Sequence, residues 1–295
     1  MAGRRAALYF SWDRAAEQNC PLPRLDNRYP ALFELRRAIW PVAAGLSGLA
    51  IQGIDGFLET IVLGDFEQFR ALGEKLTGNP VALYERVAVN GQHRPVAEWL
   101  DDVDTLILVS LDHLATNQAP TESEIATVKN FLARGGVLFV CLHHDVGTTS
   151  DPAAELAHHG DRLVPSVQRI GGFGRALLAA LGLGVENRYG LQPARAADGR
   201  PARLLKSAEG LAHAILDGVD TFNLHPHLPD LQIASTSLSK LHVLARQELS
   251  LQASPHPSVP LAERYFNAML LTRPDANLGT VFICDATLWS SAFGG

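Results

Sequence analysis

The chain has 295 residues, 47% hydrophobic and 19% charged, with a formal net charge of -6. These proportions suit a packed globular chain and exclude a disordered one. Basic residues cluster only in pairs such as Arg4-Arg5 and Arg36-Arg37, which argues against nucleic acid as a partner.

No uncharged apolar run is long enough to span a bilayer, and the apolar run before Asp13 is too short for a signal peptide. Cys20, Cys141 and Cys284 make an odd count, and two of them sit inside apparent strands. The expectation is a cytoplasmic protein with reduced thiols and no membrane contact, with homo-oligomer formation left open.

In chain order, Ala6–Ser11 reads as a short buried strand ending at Trp12-Asp13, followed by a loop from Asn19 to Pro30. Leu32, Leu35 and Ile39 at helical spacing predict a helix over Ala31–Trp40, stopped by Pro41. Leu46–Ile54 and Thr60–Leu63 read as strands around Gly53 and Gly56. Asp65 is placed to cap a helix through Leu76 that Gly78-Asn79-Pro80 ends, and Val81–Val89 follows as a strand.

The next unit is the clearest. A short helix over Val96–Leu100 precedes a continuous apolar strand, Asp104–Ser110. Thr121 with Glu124 three residues on is a capping-box pattern, and Ile125, Val128, Phe131 and Leu132 share one face of the helix it opens. That helix ends at Gly135-Gly136, and the strand Val137–Leu142 starts at once. Strand, capped helix, Gly-Gly and strand make a βαβ unit whose uniformly apolar strands predict a mostly parallel sheet covered on both faces.

Residues 146–170 form a long polar stretch, with at most a short helix near Pro152–Ala157, and read as a lid or insertion. Phe173–Leu181 is helical. The remainder reads as β-rich: Thr221–Leu224, Leu231–Ala234, Lys240–Leu249 and Gly279–Cys284. With no internal repeat and no interdomain linker, one α/β domain over 1–295 is expected.

The most informative stretch is Cys141-Leu-His143-His144-Asp145, delivered to the carboxyl end of a buried strand. In open α/β sheets, ligands collect in the crevice outside those ends. Trp12, Asp13, Asp112, His113 and Asp285 follow other predicted strands. Parallel strands would bring them to the same edge as substrate-binding groups, Asp285 only if its own strand also runs parallel. The alternative is that such Asp residues cap helices or turns and that Trp12 is core. Gly171-Gly172-Phe173-Gly174 before a helix could cradle an anion or serve close helix packing.

Several segments together resemble the class I glutamine-amidotransferase-like superfamily, in particular its trehalose-utilisation-type branch. Asp104–Ser110 followed by Thr121–Gly136 resembles the strand, helix, Gly-Gly and strand at the centre of that family. Phe139-Val-Cys-Leu-His143 falls where amidotransferases carry Gly-x-Cys-x-Gly. Ala212–Phe222 and Gly279–Trp289 resemble later segments of the trehalose-utilisation branch. The resemblance covers roughly residues 100–290. It implies a flavodoxin-like α/β fold with an embellished, more β-rich C-terminal part.

The departures matter as much. A nucleophile elbow needs small residues two positions either side of the nucleophile, and here Phe139 and His143 occupy them. The partner His-x-Glu pair near the C-terminus is also not evident. These differences argue against glutamine hydrolysis coupled to a synthetase.

Three functional readings stand. In the leading one, a hydrolase acts on a small polar molecule at a C–N bond without a cofactor. Cys141 attacks, His143 or His144 moves the proton and Asp145 orients the base. In the second, the protein is a metal-dependent hydrolase in which His143, His158, His225 and His227 supply ligands for a zinc-like ion and Cys141 is packing. His225-Pro-His227 fits that reading because alternate residues of an extended segment share a face. In the third, the fold is a non-catalytic binding or sensing domain for a small molecule.

Overall fold

The computed structural model describes residues 4–19, 63–88, 90–112, 116–143, 170–222, 228–250, 259 and 262–290. The predicted elements over Ala31–Trp40, Leu46–Ile54 and Pro152–Ala157 lie outside these residues, as does nearly all of the predicted lid at 146–170.

The chain is α/β, and its described residues build a mixed eight-stranded sheet. Its strands are β1 (Ala6–Asp13), β2 (Ala82–Val87), β3 (Thr105–Ser110), β4 (Val137–Leu142), β6 (Leu205–Lys206), β8 (Leu241–Glu248), β9 (Tyr265–Thr272) and β10 (Thr280–Asp285). They are ordered β2-β1-β3-β4-β10-β9-β8-β6, and a separate antiparallel pair joins β5 (Val185–Leu191) to β7 (Leu228–Ile233). From β2 through β10 every neighbouring pair is parallel, whereas β9, β8 and β6 continue the sheet antiparallel. The last strand, β10, inserts between β4 and β9. Asp285 therefore reaches the same edge as the ends of β1, β3 and β4.

The central strands β3 and β4 are almost wholly apolar because both faces are covered, whereas the edge strand β2 carries Glu85 and Arg86. Ala7, Tyr9, Leu106, Leu108, Leu138, Val140, Val281 and Ile283 pack into one core. There they meet Val128, Phe131 and Leu132 of a helix (Glu122–Ala133) and Phe173, Leu177 and Leu178 of another (Gly172–Ala180). The alternate residues Leu8, Phe10, Trp12, Ile107, Val109, Phe139, Cys141, Phe282 and Cys284 form the core of the other face. It is covered by Leu63, Phe66 and Phe69, by Leu216, and by the turn Ala286–Trp289.

In chain order the helices are α1 (Arg14–Asn19), α2 (Glu67–Thr77), α3 (Glu122–Ala133), α4 (Gly172–Ala180) and α5 (Ala208–Ala212). The predicted capping box is present. The Thr121 side chain accepts the Glu124 N–H, and the Glu124 carboxylate accepts the Thr121 N–H at 2.8 Å. That carboxylate also takes a two-pronged ion pair from Arg86, at 2.8 and 3.1 Å. The cap of α3 is thus joined to the end of β2.

Several boundaries differ from the sequence reading. Val96–Leu100 resolves into the 3-10 turns Val96–Glu98 and Leu100–Asp102. Asp65 does not cap α2, since no side chain does, and it accepts a hydrogen bond from the Ser290 hydroxyl at 3.3 Å instead. Strands β5, β6 and β9 were not expected, and of the predicted strand Thr221–Leu224 the two described residues, Thr221 and Phe222, lie in no strand. Among the described residues, no helix is long and apolar enough to cross a membrane.

Candidate functional site

Sheet pairing ends with Leu142 on β4, which is in register with Ser110 of β3 and Asp285 of β10. The next residue, His143, turns its ring toward β10. Its Nδ1 lies 2.9 Å from Asp285 Oδ2, and the two side chains are 12% and 7% exposed. Asp285 is held from its other oxygen, where Oδ1 accepts the Thr287 N–H at 2.8 Å and also the Thr287 hydroxyl. A carboxylate fixed in this way sets the imidazole's orientation. With the proton on Nδ1, the opposite nitrogen, Nε2, becomes the basic one.

The backbone of His143 has its own support. Asn187 on β5 donates from Nδ2 to the carbonyl of His143 and, at 3.3 Å, to that of Ile170. Its Oδ1 accepts from Arg175 of α4 at 2.7 Å, and Arg175 also donates to Ile170 O at 2.8 Å. Asn187 is 1% exposed.

Cys141 takes a different position from the one expected of a nucleophile. It is fully buried on the face shared with Phe139 and Cys284. Its Sγ lies 3.8 Å from Cys284 Sγ and accepts the indole N–H of Trp289 at 3.1 Å. Trp289 packs edge-on against Phe139, which stacks on Phe282. Burial pushes the Cys141 thiol well above its ordinary range, and the neighbouring Cys284 adds to the rise against the weaker effect of the Trp289 N–H. Burial of this kind disfavours the thiolate that nucleophilic attack requires.

Asp112, expected to bind substrate, is fully buried and caps α4 instead. Its Oδ2 accepts the Phe173 N–H at 2.9 Å, and its Oδ1 accepts the Ser110 hydroxyl at 2.6 Å. Ser110 Oγ in turn accepts the Gly174 N–H at 2.8 Å. Two amides of the glycine-rich turn, those of Phe173 and Gly174, are thus taken by the protein's own side chains and that of Gly171 by the Asp112 carbonyl at 2.9 Å, and Gly174 serves close packing. A Cβ on Gly174 would stand 2.6 Å from Leu142 Cδ2 and 2.9 Å from Ser110 Cβ, and Gly171 has φ +85°.

Trp12, expected to wall a pocket, is a core side chain. It is fully buried, stacked on Phe10 at 4.9 Å, and donates to Glu85 at 2.8 Å. Asp13 caps α1 by accepting the Ala16 N–H at 2.9 Å, while its own N–H donates to Gln118 Oε1. Gln118 donates to the buried Glu17 at 2.7 Å, so its side chain ties the end of β1 to α1.

Of the expected site residues, Asp13, Asp112, Cys141, His143 and Asp285 do lie toward one edge of the sheet, but only His143 and Asp285 pair. His113, His144, Asp145, His158, His225 and His227 lie outside the described residues. Among the described residues, no group of three or more His, Cys, Asp or Glu is arranged to hold a metal ion.

The supporting residues Asn187, Arg175 and Thr287 were not singled out from the sequence. Asp285-Ala-Thr287 did carry a signal, since Asp followed two residues later by a hydrogen-bonding partner is a turn pattern. Asn187 gives no local signal.

No protein-family model matches the chain, and no curated protein matches it. A solved structure, the exo-beta-1,4-mannosidase Op5Man5 from Opitutaceae bacterium strain TAV5, aligns with 98% of this chain at 12% identity and a TM-score of 0.32. The chain spans 32% of that protein's length. Similarity of that order leaves both fold family and activity to be argued from this chain's own residues.

Proposed function

We propose that this chain is a small-molecule-binding domain of amidotransferase-like, flavodoxin-like design in which core packing has taken over the position of the nucleophilic thiol. A polar ligand is received at the carboxyl edge of the sheet beside His143 and Asp285. The strand order β2-β1-β3-β4-β10, parallel throughout, supports the flavodoxin-like reading. The observation that carries the loss of the nucleophile is the Cys141 sulfur, fully buried, in contact with Cys284 and bonded by the Trp289 indole.

The position of the ligand follows from what is left. At this edge, the polar groups of Asp13, Asp112 and Gln118 are engaged with helix ends and with one another. At this edge, the His143–Asp285 pair is the oriented acid–imidazole unit among the described residues, and it stands at the ends of two central strands.

A second reading rests on the same pair. An imidazole oriented by a carboxylate can act as a general base on water, so hydrolysis of a C–N bond without a covalent thiol intermediate is the enzymatic form of this site. Thermal-shift screening with amides, amino acids and other small polar compounds tests the proposal. The expected result is a compound that raises the midpoint of the wild type and of Cys141→Ala but not of His143→Ala. A compound whose effect requires Cys141 and not His143 overturns it. Turnover of that compound distinguishes the enzymatic form from simple binding.

A further inference from the structure

We propose that Asn187 is the positioning residue of the His143 site, the group that holds the end of β4 so that the imidazole meets Asp285. The inference rests on the reading of His143 and Asp285 as the binding pair and adds to it the residue that controls their geometry.

The ladder of β4 with β3 and β10 stops at Leu142, so sheet pairing does not fix the carbonyl of His143. Asn187 supplies the missing bond, and the same amide reaches the carbonyl of Ile170 at 3.3 Å. It thereby joins the backbone just before residue 144 to the backbone just after residue 169. The orientation of the amide is imposed from behind. Arg175 can only donate, so the oxygen of Asn187 faces it at 2.7 Å and the nitrogen faces the two carbonyls. Asn187 sits on β5 opposite Leu231 of β7, which ties the small second sheet to the edge where the pair stands.

A residue whose two donors are spent on backbone carbonyls beside the site is well placed to act through His143 rather than on the ligand. A general packing role would have been met by an apolar side chain, without buried donors that need partners.

The test is the nitrogen NMR spectrum of the His143 ring in the intact protein, compared among wild type, Asn187→Asp, Asn187→Ala and Arg175→Gln. Asn187→Asp keeps the shape and an acceptor toward Arg175 but removes both donors. Wild type is expected to show the Nδ1-protonated form, with a slowly exchanging ring proton bonded to Asp285. Asn187→Asp and Asn187→Ala are expected to lose that signature, with exchange of the ring proton at least tenfold faster, while their amide spectra remain folded. Arg175→Gln, which leaves the donors of Asn187 in place and keeps a side-chain N–H to face its oxygen, is expected to retain it.

Retention in both Asn187 variants overturns the positioning role while leaving the His143–Asp285 pair intact. Equal loss in Arg175→Gln, or failure of both Asn187 variants to fold, makes Asn187 a general structural residue and overturns it too. Absence of the signature in the wild type removes the pair itself, and with it both this inference and the proposed site.

Discussion

His143 and Asp285 lie 142 residues apart in sequence, yet Nδ1 and Oδ2 are separated by 2.9 Å. The meeting depends on β10 running parallel to β4, with Asp285 in register with Leu142. Had β10 run antiparallel to β4, Asp285 would have left the sheet at the opposite edge. Asp285→Ala removes the acceptor of His143 and the cap of the Ala286–Trp289 turn together. A buried hydrogen-bonded carboxylate in this role is worth about 2 kcal/mol. Urea unfolding of Asp285→Ala should show a loss of that size, and Asp285→Asn a smaller one.

Asp112 is a helix cap in this structure, so its removal should appear in stability rather than in ligand recognition. Asp112→Ala leaves the Phe173 N–H and the Ser110 hydroxyl without their shared acceptor. The expected cost is about 0.5–2 kcal/mol, the usual range for loss of a capping side chain. Equilibrium denaturation checks the cost. Ligand affinity measured well below the midpoint should be unchanged.

Gly174→Ala tests the close approach of α4 to the sheet. The added Cβ would meet Leu142 Cδ2 at 2.6 Å and Ser110 Cβ at 2.9 Å, neither of them the far end of a long flexible side chain. Overpacking of this kind costs about 1–3 kcal/mol. The melting temperature should fall accordingly, although alanine favours helix over glycine.

Glu124 gives the fold a defined acid limit. Burial would raise its carboxyl, but the Arg86 guanidinium and the Thr121 N–H outweigh burial and hold it below the ordinary glutamate value. A carboxyl whose folded-state value is depressed contributes stability above its unfolded value of roughly 4.3, and the contribution is lost as pH falls through the lower folded-state value. Unfolding free energy should therefore decline as pH drops below that point. In Glu124→Gln the protein should be less stable at neutral pH, and the acid-dependent decline should be shallower.

How far the sequence disclosed this arrangement depends on the range of the interactions involved. The capping box at Thr121 and Glu124, the helix ending at Gly135-Gly136 and the strand Val137–Leu142 are local patterns, and the structure contains all of them. The edge shared by Asp13, Asp112 and His143 followed from parallel strands, which the apolar runs indicated. The roles of those residues did not follow. A capping Asp and a ligand-binding Asp at a strand end have the same local sequence, and only the position of α4 separates them.

The thiol was harder still to read. Whether Cys141 faces solvent or core depends on Trp289 and Cys284, both more than 140 residues away. Asn187 illustrates the extreme case. A lone Asn in a strand that hydrophobic periodicity did not reveal makes contacts with His143 after β4, Arg175 of α4 and Ile170, two residues before α4.

Alkylation of Cys141 in the native protein, followed by peptide mass spectrometry between about pH 6 and pH 8, tests most directly whether the thiol has become part of the core. The account predicts that Cys141 is modified no faster than the protein unfolds globally, and that added denaturant accelerates the reaction in step with unfolding. Rapid labelling of Cys141 at or below neutral pH, in protein whose fold is intact, would contradict it and restore the thiol as the reactive centre.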